Sequence, residues 1–188
     1  MKNYIESIFK YDRFEELSRF VLEFYSRHEQ EILYGGYQYP LQGITPNDNI
    51  KTCQHQKFGG NFTGDETIFD QLLNIFEGTE IDYFIRSLDY KVYRSRMFLM
   101  PAGHEMSVHR DLTPRIHVPI KTSIGNEFWF WKDTADWTKI QDADTSNILH
   151  KEHMPADGTV YMVDTTRSHT FVNHSSEFRI HLVFVLGE

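Results

Sequence analysis

Cysteine is nearly absent from the sequence: Cys53 stands alone among 188 residues. One cysteine forms no internal disulfide and builds no cysteine-based zinc site, and it suggests a reducing, cytoplasmic setting. Long apolar runs are missing as well. Nowhere do about 18 consecutive apolar residues occur, so no membrane span is expected. Glu6 interrupts the segment Met1 to Lys10 where a signal peptide would need its apolar stretch, and none is expected. Basic residues are outnumbered, 19 Lys and Arg against 27 Asp and Glu, giving a net charge of −8 and a pI near 5.7. A surface of that sign repels polyanions, and no basic run offsets it, so no nucleic acid partner is expected. Internal repeats, low-complexity segments and linkers are also lacking.

Aromatic residues are plentiful, with 15 Phe and 10 Tyr, and they suit the pleated surface of a β-rich core. The length fits one domain over residues 1–188. Residues 1–90 read as a helical and loop-rich part, and 91–188 as the β core. Apolar spacing predicts an amphipathic helix from 12 to about 33, with Asp12 and Glu15 as a capping pair. A second helix is expected over Asp65 to Phe76, stopped by Gly78, and a shorter one through Ile81, Phe84, Ile85 and Leu88. Between them, 35–64 is rich in Gly, Pro, Asn, Gln and Tyr and reads as a long connection. It is a candidate lid with Tyr37, Tyr39, His55 and Phe58 as candidate substrate contacts. Strands are expected over Lys91 to Met100, Glu127 to Trp131, Asn147 to Glu152, Thr159 to Val163 and Ile180 to Leu186, with a short one after His169. The polar segment 132–156 is a second candidate lid. Helices first and strands afterwards give an α+β layout, mainly β, with helices backing a β-barrel.

The densest chemistry lies in Ser107 to Ile120, which contains His109, Asp111, Arg115 and His117. On an extended segment His109 and Asp111, two positions apart, point to one side. An imidazole and a carboxylate, joined by a second imidazole and leaving other positions open, form the ligand set that holds ferrous iron for oxygen chemistry. His169 is the candidate second imidazole. Arg179 opens the last strand, where a guanidinium facing into a barrel is expensive to bury unless an anion meets it. A dicarboxylate co-substrate would be such an anion. His109-Arg110-Asp111-Leu112 also spells the start of a kinase catalytic loop, but Ile116 occupies the place of the required asparagine and no glycine-rich phosphate loop exists.

Taken together, His109-x-Asp111, Arg115-x-His117, His169 and Arg179 ten positions later resemble the aspartyl/asparaginyl β-hydroxylase family of iron(II)/2-oxoglutarate dioxygenases, which includes bacterial free-proline hydroxylases. The resemblance covers roughly Tyr93 to Leu186, half of the chain. It implies a double-stranded β-helix of the jelly-roll or cupin-like kind, with Fe(II) held by His109, Asp111 and His169. It also implies 2-oxoglutarate held by Arg179 at its distal carboxylate, with Arg115 and His117 near the iron-proximal end, and O2 as the second co-substrate. The implied reaction is hydroxylation of an amino acid, either as a small molecule or within a peptide or protein. One departure stands out: some members use a serine at the distal carboxylate, and Met97 occupies about that place here.

Arg94, Arg96, Arg110 and Lys121 are the cations that could meet a substrate carboxylate. His28, His55, His104, His150, His153 and His174 follow no ligand pattern, and His104 is expected nearest the site. His181 shares the strand face of Arg179 and reads as a core histidine with a satisfied partner, or as a donor behind the site. Two rival classes remain open: a non-catalytic cupin-like protein that binds a metal and a small ligand, and a cupin-type isomerase that needs no oxygen.

Overall fold

The computed structural model describes residues 3–34, 36–53, 65–132 and 138–187, with the side chains of Tyr34 and Cys53 left aside. In chain order the elements are β1 (Ile5–Lys10), α1 (Phe14–Tyr34), β2 (Gln38–Pro40), β3 (Gln42–Gly43), α2 (Ile50–Cys53), β4 (Gln71–Leu72), α3 (Glu80–Ser87), β5 (Val92–Met100), β6 (Arg115–Lys121), β7 (Asn126–Trp131), β8 (Ile148–Glu152), β9 (Thr159–Val163), β10 (His169–Asn173) and β11 (Arg179–Leu186). Six strands form one antiparallel sheet in the order β1-β9-β6-β11-β5-β2, and three form a second, β10-β7-β8. β3 and β4 pair separately.

The period-two geometry of a strand explains how the layers stack. Ile116, Val118 and Ile120 of β6, Ile180, Leu182 and Phe184 of β11, and Met97 and Leu99 of β5 share one core cluster with Leu17, Val21 and Phe24 of α1 and Ile81 and Phe84 of α3. The helices therefore cover one face of the large sheet. The alternate residues, Arg115 and His117, Arg179 and His181, Arg96 and Phe98, lie on the other face, which looks toward the small sheet. Phe128, Phe130 and Phe171 of that sheet pack with Met100, Tyr161 and Val163 in a second cluster. The class is the expected one, mainly β: a β-sandwich with its N-terminal helices on the outer face.

α1 begins close to the expected start, and Glu15 and Glu16 in its first turn complement the helix dipole. Its regularity breaks at His28 (φ −119°, ψ 17°). The helix expected over 65–76 does not form. Two 3-10 turns, Glu66–Ile68 and Asn74–Phe76, flank β4 there. The backbone bonds that a helix would use internally go to neighbours instead: Leu73 N–H donates to Leu41, Asn74 N–H to Pro46, and the Phe69 carbonyl accepts from Arg94. Ile68 and Ile75, a third of the supposed apolar stripe, are 40% and 54% exposed. Five strands went unforeseen: β1 and β2 at the edges of the large sheet, β6 inside it, and the short β3 and β4. β1 pairs with β9 through a register shift between Ser7 and Phe9, and β2 lies at the opposite edge against β5. No described helix is long and apolar enough to cross a membrane.

Candidate metal centre

His109 and His169 are held side by side by the backbone, each N–H donating to the other's carbonyl at 2.9 Å. This places an imidazole from the irregular segment after β5 beside one from the first position of β10. Asp111 is fixed by its own N–H, which donates to the Thr165 carbonyl at 2.8 Å, while the Thr165 hydroxyl donates to Thr113 O at 2.9 Å. The stretch 107–111 is thus not a regular strand; bridges to the 165–169 segment hold its ligand residues. One ligand atom from each of His109, Asp111 and His169 lies within 4.8 Å of the others, and His169 Nε2 is 4.0 Å from Asp111 Oδ2.

The outer nitrogens of both rings are committed. Nδ1 of His109 lies 2.8 Å from Ser107 O, and Nδ1 of His169 lies 2.9 Å from Arg167 O. A carbonyl only accepts, so each Nδ1 carries the proton and each Nε2 keeps its lone pair for a metal. Burial lowers the His169 pKa to about 4, helped by His109 and opposed by Asp111. Burial pushes the Asp111 carboxyl up, but the Arg115 guanidinium and then His169 outweigh it and hold it well below the usual carboxylate range. The donor set is two neutral imidazoles and one carboxylate, with no thiolate among them, which fits a divalent ion such as iron(II).

A cavity opens onto these three residues. Arg115 lies at the metal-proximal end with its donors already engaged. Nε donates to Asp111 Oδ2 at 3.2 Å, Nη1 to Thr113 Oγ1 at 3.4 Å, and Nη2 pairs with Glu66 Oε2 at 2.8 Å. His117 lines the same wall, edge-on to Phe128, and its Nδ1 has no partner among the described residues. Burial lowers its pKa well below the ordinary value, with Arg179 adding to the shift.

Arg179 is fully buried, yet lines the cavity. Its Nη2 donates to His181 Nδ1 at 2.6 Å, and its Nε and Nη1 have no partner among the described residues. The guanidinium lies 3.2 Å from the centre of the Phe171 ring, with Phe98 and Phe128 near 6 Å. Burial alone pushes its pKa well below the ordinary value. An arginine does not shed its proton readily, so the shift expresses how costly this charge is without an anion. His181, lowered well below its usual pKa by burial and then by Arg179, is neutral and accepts from it. Only half of the satisfied-partner reading of His181 holds, because its Nε2 is unpartnered among the described residues.

Several expectations need correction. Met97 is buried in the helix-side core, and the pocket-facing residue opposite His181 is Phe98. No side chain of Met97 can assist a co-substrate from that side. His104 is exposed and sits against Tyr37. Tyr39 packs on Phe24 and Phe76 in the outer core; of this region it is Gln38 that reaches the cavity. Among the four free-carboxylate candidates only Arg96 lines it. Arg110 bonds to Ser168 Oγ, Lys121 pairs with Glu177, and Arg94 pairs with Glu66. His55 and Phe58 lie outside the described residues, as do parts of both candidate lids. Glu66, unforeseen in the sequence, is buried against two arginines. Its signal would have been a carboxylate in a segment rich in Ile, Phe and Leu.

Fold and site together define a mainly β, two-sheet protein with a His-Asp-His group of candidate metal ligands. No protein-family model matches the chain, and no curated protein matches it. Solved structures resemble parts of the chain at low identity and low structural overlap. A cupin domain from Bordetella pertussis Tohama I is 15% identical over 54% of this chain and 88% of its own, with a TM-score of 0.38. A 2OG-Fe(II) oxygenase family oxidoreductase from Burkholderia pseudomallei is 15% identical over 59% and 51%, at 0.37. The nickel complex of a non-heme monooxygenase is 17% identical over 50% and 44%, at 0.35. The match therefore spans about half the length of these two oxygenases.

Proposed function

We propose that this protein is an iron(II)- and 2-oxoglutarate-dependent oxygenase that hydroxylates an amino acid, free or within a peptide or protein. The observation that carries the reading is Arg179, a wholly buried cation with two unused donors in the cavity that also holds His109, Asp111 and His169. Burying a guanidinium among Phe98, Phe128 and Phe171 without a counter-ion disfavours the folded state, and a dicarboxylate co-substrate held by Arg179 would remove that cost. Iron(II) would supply the oxygen chemistry, coupled to oxidative decarboxylation of 2-oxoglutarate to succinate.

The chain's own residues then have distinct tasks. His109 and His169 offer Nε2 lone pairs, with their Nδ1–H groups anchored on carbonyls so that the rings do not turn. Asp111 stays ionised and is oriented by Arg115. Neutral His181 orients Arg179 by accepting from Nη2, which directs Nε and Nη1 toward an incoming carboxylate. The phenylalanines around that guanidinium exclude water and strengthen the ion pair. Arg96, lining the cavity near Arg115, is the group we assign to the substrate's carboxylate. Burial and its cationic neighbours Arg115 and Arg94 lower its pKa to about 9, so it remains charged at neutral pH and is improved by an anion.

The test is an anaerobic titration of the apo-protein with iron(II) and 2-oxoglutarate, followed in the visible region and then by succinate analysis after air is admitted. A charge-transfer band with succinate is the expected result. Iron binding with neither would mark a non-catalytic cupin-like protein that holds a metal and a small ligand.

A further inference from the structure

Four charged side chains of alternating sign run from the N-terminal half of the chain to the candidate metal ligands. Arg94 pairs with Glu66 Oε1, Glu66 Oε2 accepts from Arg115 Nη2 at 2.8 Å, and Arg115 Nε donates to Asp111 Oδ2 at 3.2 Å. Glu66 is only 8% exposed and Arg115 3%. The series is not incidental surface pairing, because removing one member strands a buried charge. Arg96 stands close enough to both Arg94 and Arg115 to feel their charge. Glu66 and Asp111 are the carboxylates that offset the charge at Arg96.

The backbone around Glu66 is built to hold it. Asp65 caps the 3-10 turn, accepting from Thr67 N–H at 2.8 Å, and the Glu66 carbonyl accepts from Phe69 N–H. Phe69 is buried and its carbonyl accepts from Arg94 N–H at 2.8 Å. Arg94 itself has φ 41°, one of two non-glycine residues described with positive φ. A residue without glycine's freedom persists there only where its surroundings over-determine it. The turn and β5 are thus locked together at the point where Glu66 meets Arg94.

We infer that Glu66 is a positioning residue for the metal centre: by drawing Arg115 toward itself it keeps that guanidinium from fully occupying Asp111, leaving the carboxylate able to bind a divalent ion. The inference rests on the proposed metal-binding reading of His109, Asp111 and His169. Glu66 touches neither metal nor substrate and acts through Arg115.

The relay makes predictions of opposite sign at Glu66 and at Arg94. Glu66→Gln keeps the shape, releases Arg115 onto Asp111 and makes the neighbourhood more positive, so the dissociation constant for cobalt(II), read from its visible absorption, should rise at least about tenfold. Arg94→Met leaves Glu66 wholly to Arg115, and cobalt(II) should bind as tightly as to the wild type or tighter. In an Arg115→Gln background, Glu66→Gln should change the constant by less than about twofold, since coupled residues are non-additive. Apo melting curves of each variant report whether it is folded. Should Glu66→Gln fail to fold, Arg94→Met carries the same test alone, because a merely structural role for the series predicts weaker binding there.

Unchanged affinity in Glu66→Gln, weaker affinity in Arg94→Met, or an equal Glu66→Gln effect with and without Arg115 would each overturn the inference. Wild-type protein that binds no cobalt(II) or iron(II) would instead remove the metal-site reading, and this inference with it.

Discussion

In the proposed oxygenase, Arg179 would be a burden to the apo-protein and an asset to the loaded one. Its charge is buried with two donors unused, so Arg179→Met should raise the apo melting temperature, while the 2-oxoglutarate needed for half-saturation should rise. Loss of one partner from a buried charge pair costs about 2–5 kcal/mol, roughly thirtyfold or more in affinity. The cobalt(II) constant should stay as in the wild type. An unchanged co-substrate requirement would mean that the distal carboxylate is held elsewhere. Asp111→Ala has a different signature: the carboxylate is lost, iron(II) no longer binds stoichiometrically, and the charge-transfer band disappears while the fold survives. Calorimetric titration with iron(II) and far-ultraviolet circular dichroism together check it. His109 and Asp111 stand out by residue type and short spacing, whereas His169 and Arg179, far along the chain, are singled out through the family resemblance; the fold brings ligand atoms of the first three within 4.8 Å of one another. Arg96 is one of four candidate cations that the sequence could not rank, and Glu66 was missed, since its significance depends on meeting Arg94 of β5 and Arg115 of β6 across the fold, which no local pattern encodes.

Among the elements, α3 depends most visibly on one residue. Phe84 is fully buried, edge-on to Tyr11 at 4.9 Å and against Phe184 of β11 at 5.3 Å. Phe84→Ala removes a ring that joins helix, sheet and the turn after β1, and should lower stability by about 3–5 kcal/mol in urea unfolding without altering the slope. The long strands and α1 were legible because their apolar periods extend over many residues and agree with the layers they face. The 65–76 segment misled because Ile68, Phe69, Leu72, Leu73, Ile75 and Phe76 mimic a helical stripe. A short helix gains little on its own against the cost of nucleation, and here tertiary hydrogen bonds to Leu41, Pro46 and Arg94 prevail. β1 escaped notice for the converse reason. An edge strand has one neighbour, and with a register shift inside it the alternation is lost.

At the scale of the molecule, the acidic surface and the buried charge series set the response to pH. Burial raises the Glu66 pKa, but Arg115 and Arg94 bring the balance below the ordinary value, and Asp111 is lowered further by Arg115. A carboxyl with a depressed folded-state pKa stabilises the fold above its unfolded value, near 4, and loses that contribution as pH falls through the folded one. The apo melting temperature should therefore fall on acidification from about pH 6 to pH 3. In Glu66→Gln the decline should be shallower over the same window. A decline of equal steepness would show that Glu66 does not take part in acid unfolding.

The paired carbonyls and amides of His109 and His169 make the site a clasp as well as a ligand set. The same two residues join their segments twice, once through the main chain and, when an ion is held, again through their rings. Parting the segments from the loaded state then requires both fastenings to release together. Hydrogen–deuterium exchange at these two amides should be markedly slower with iron(II) bound than in the apo-protein, while amides of α1, on the far face of the large sheet, keep their rates.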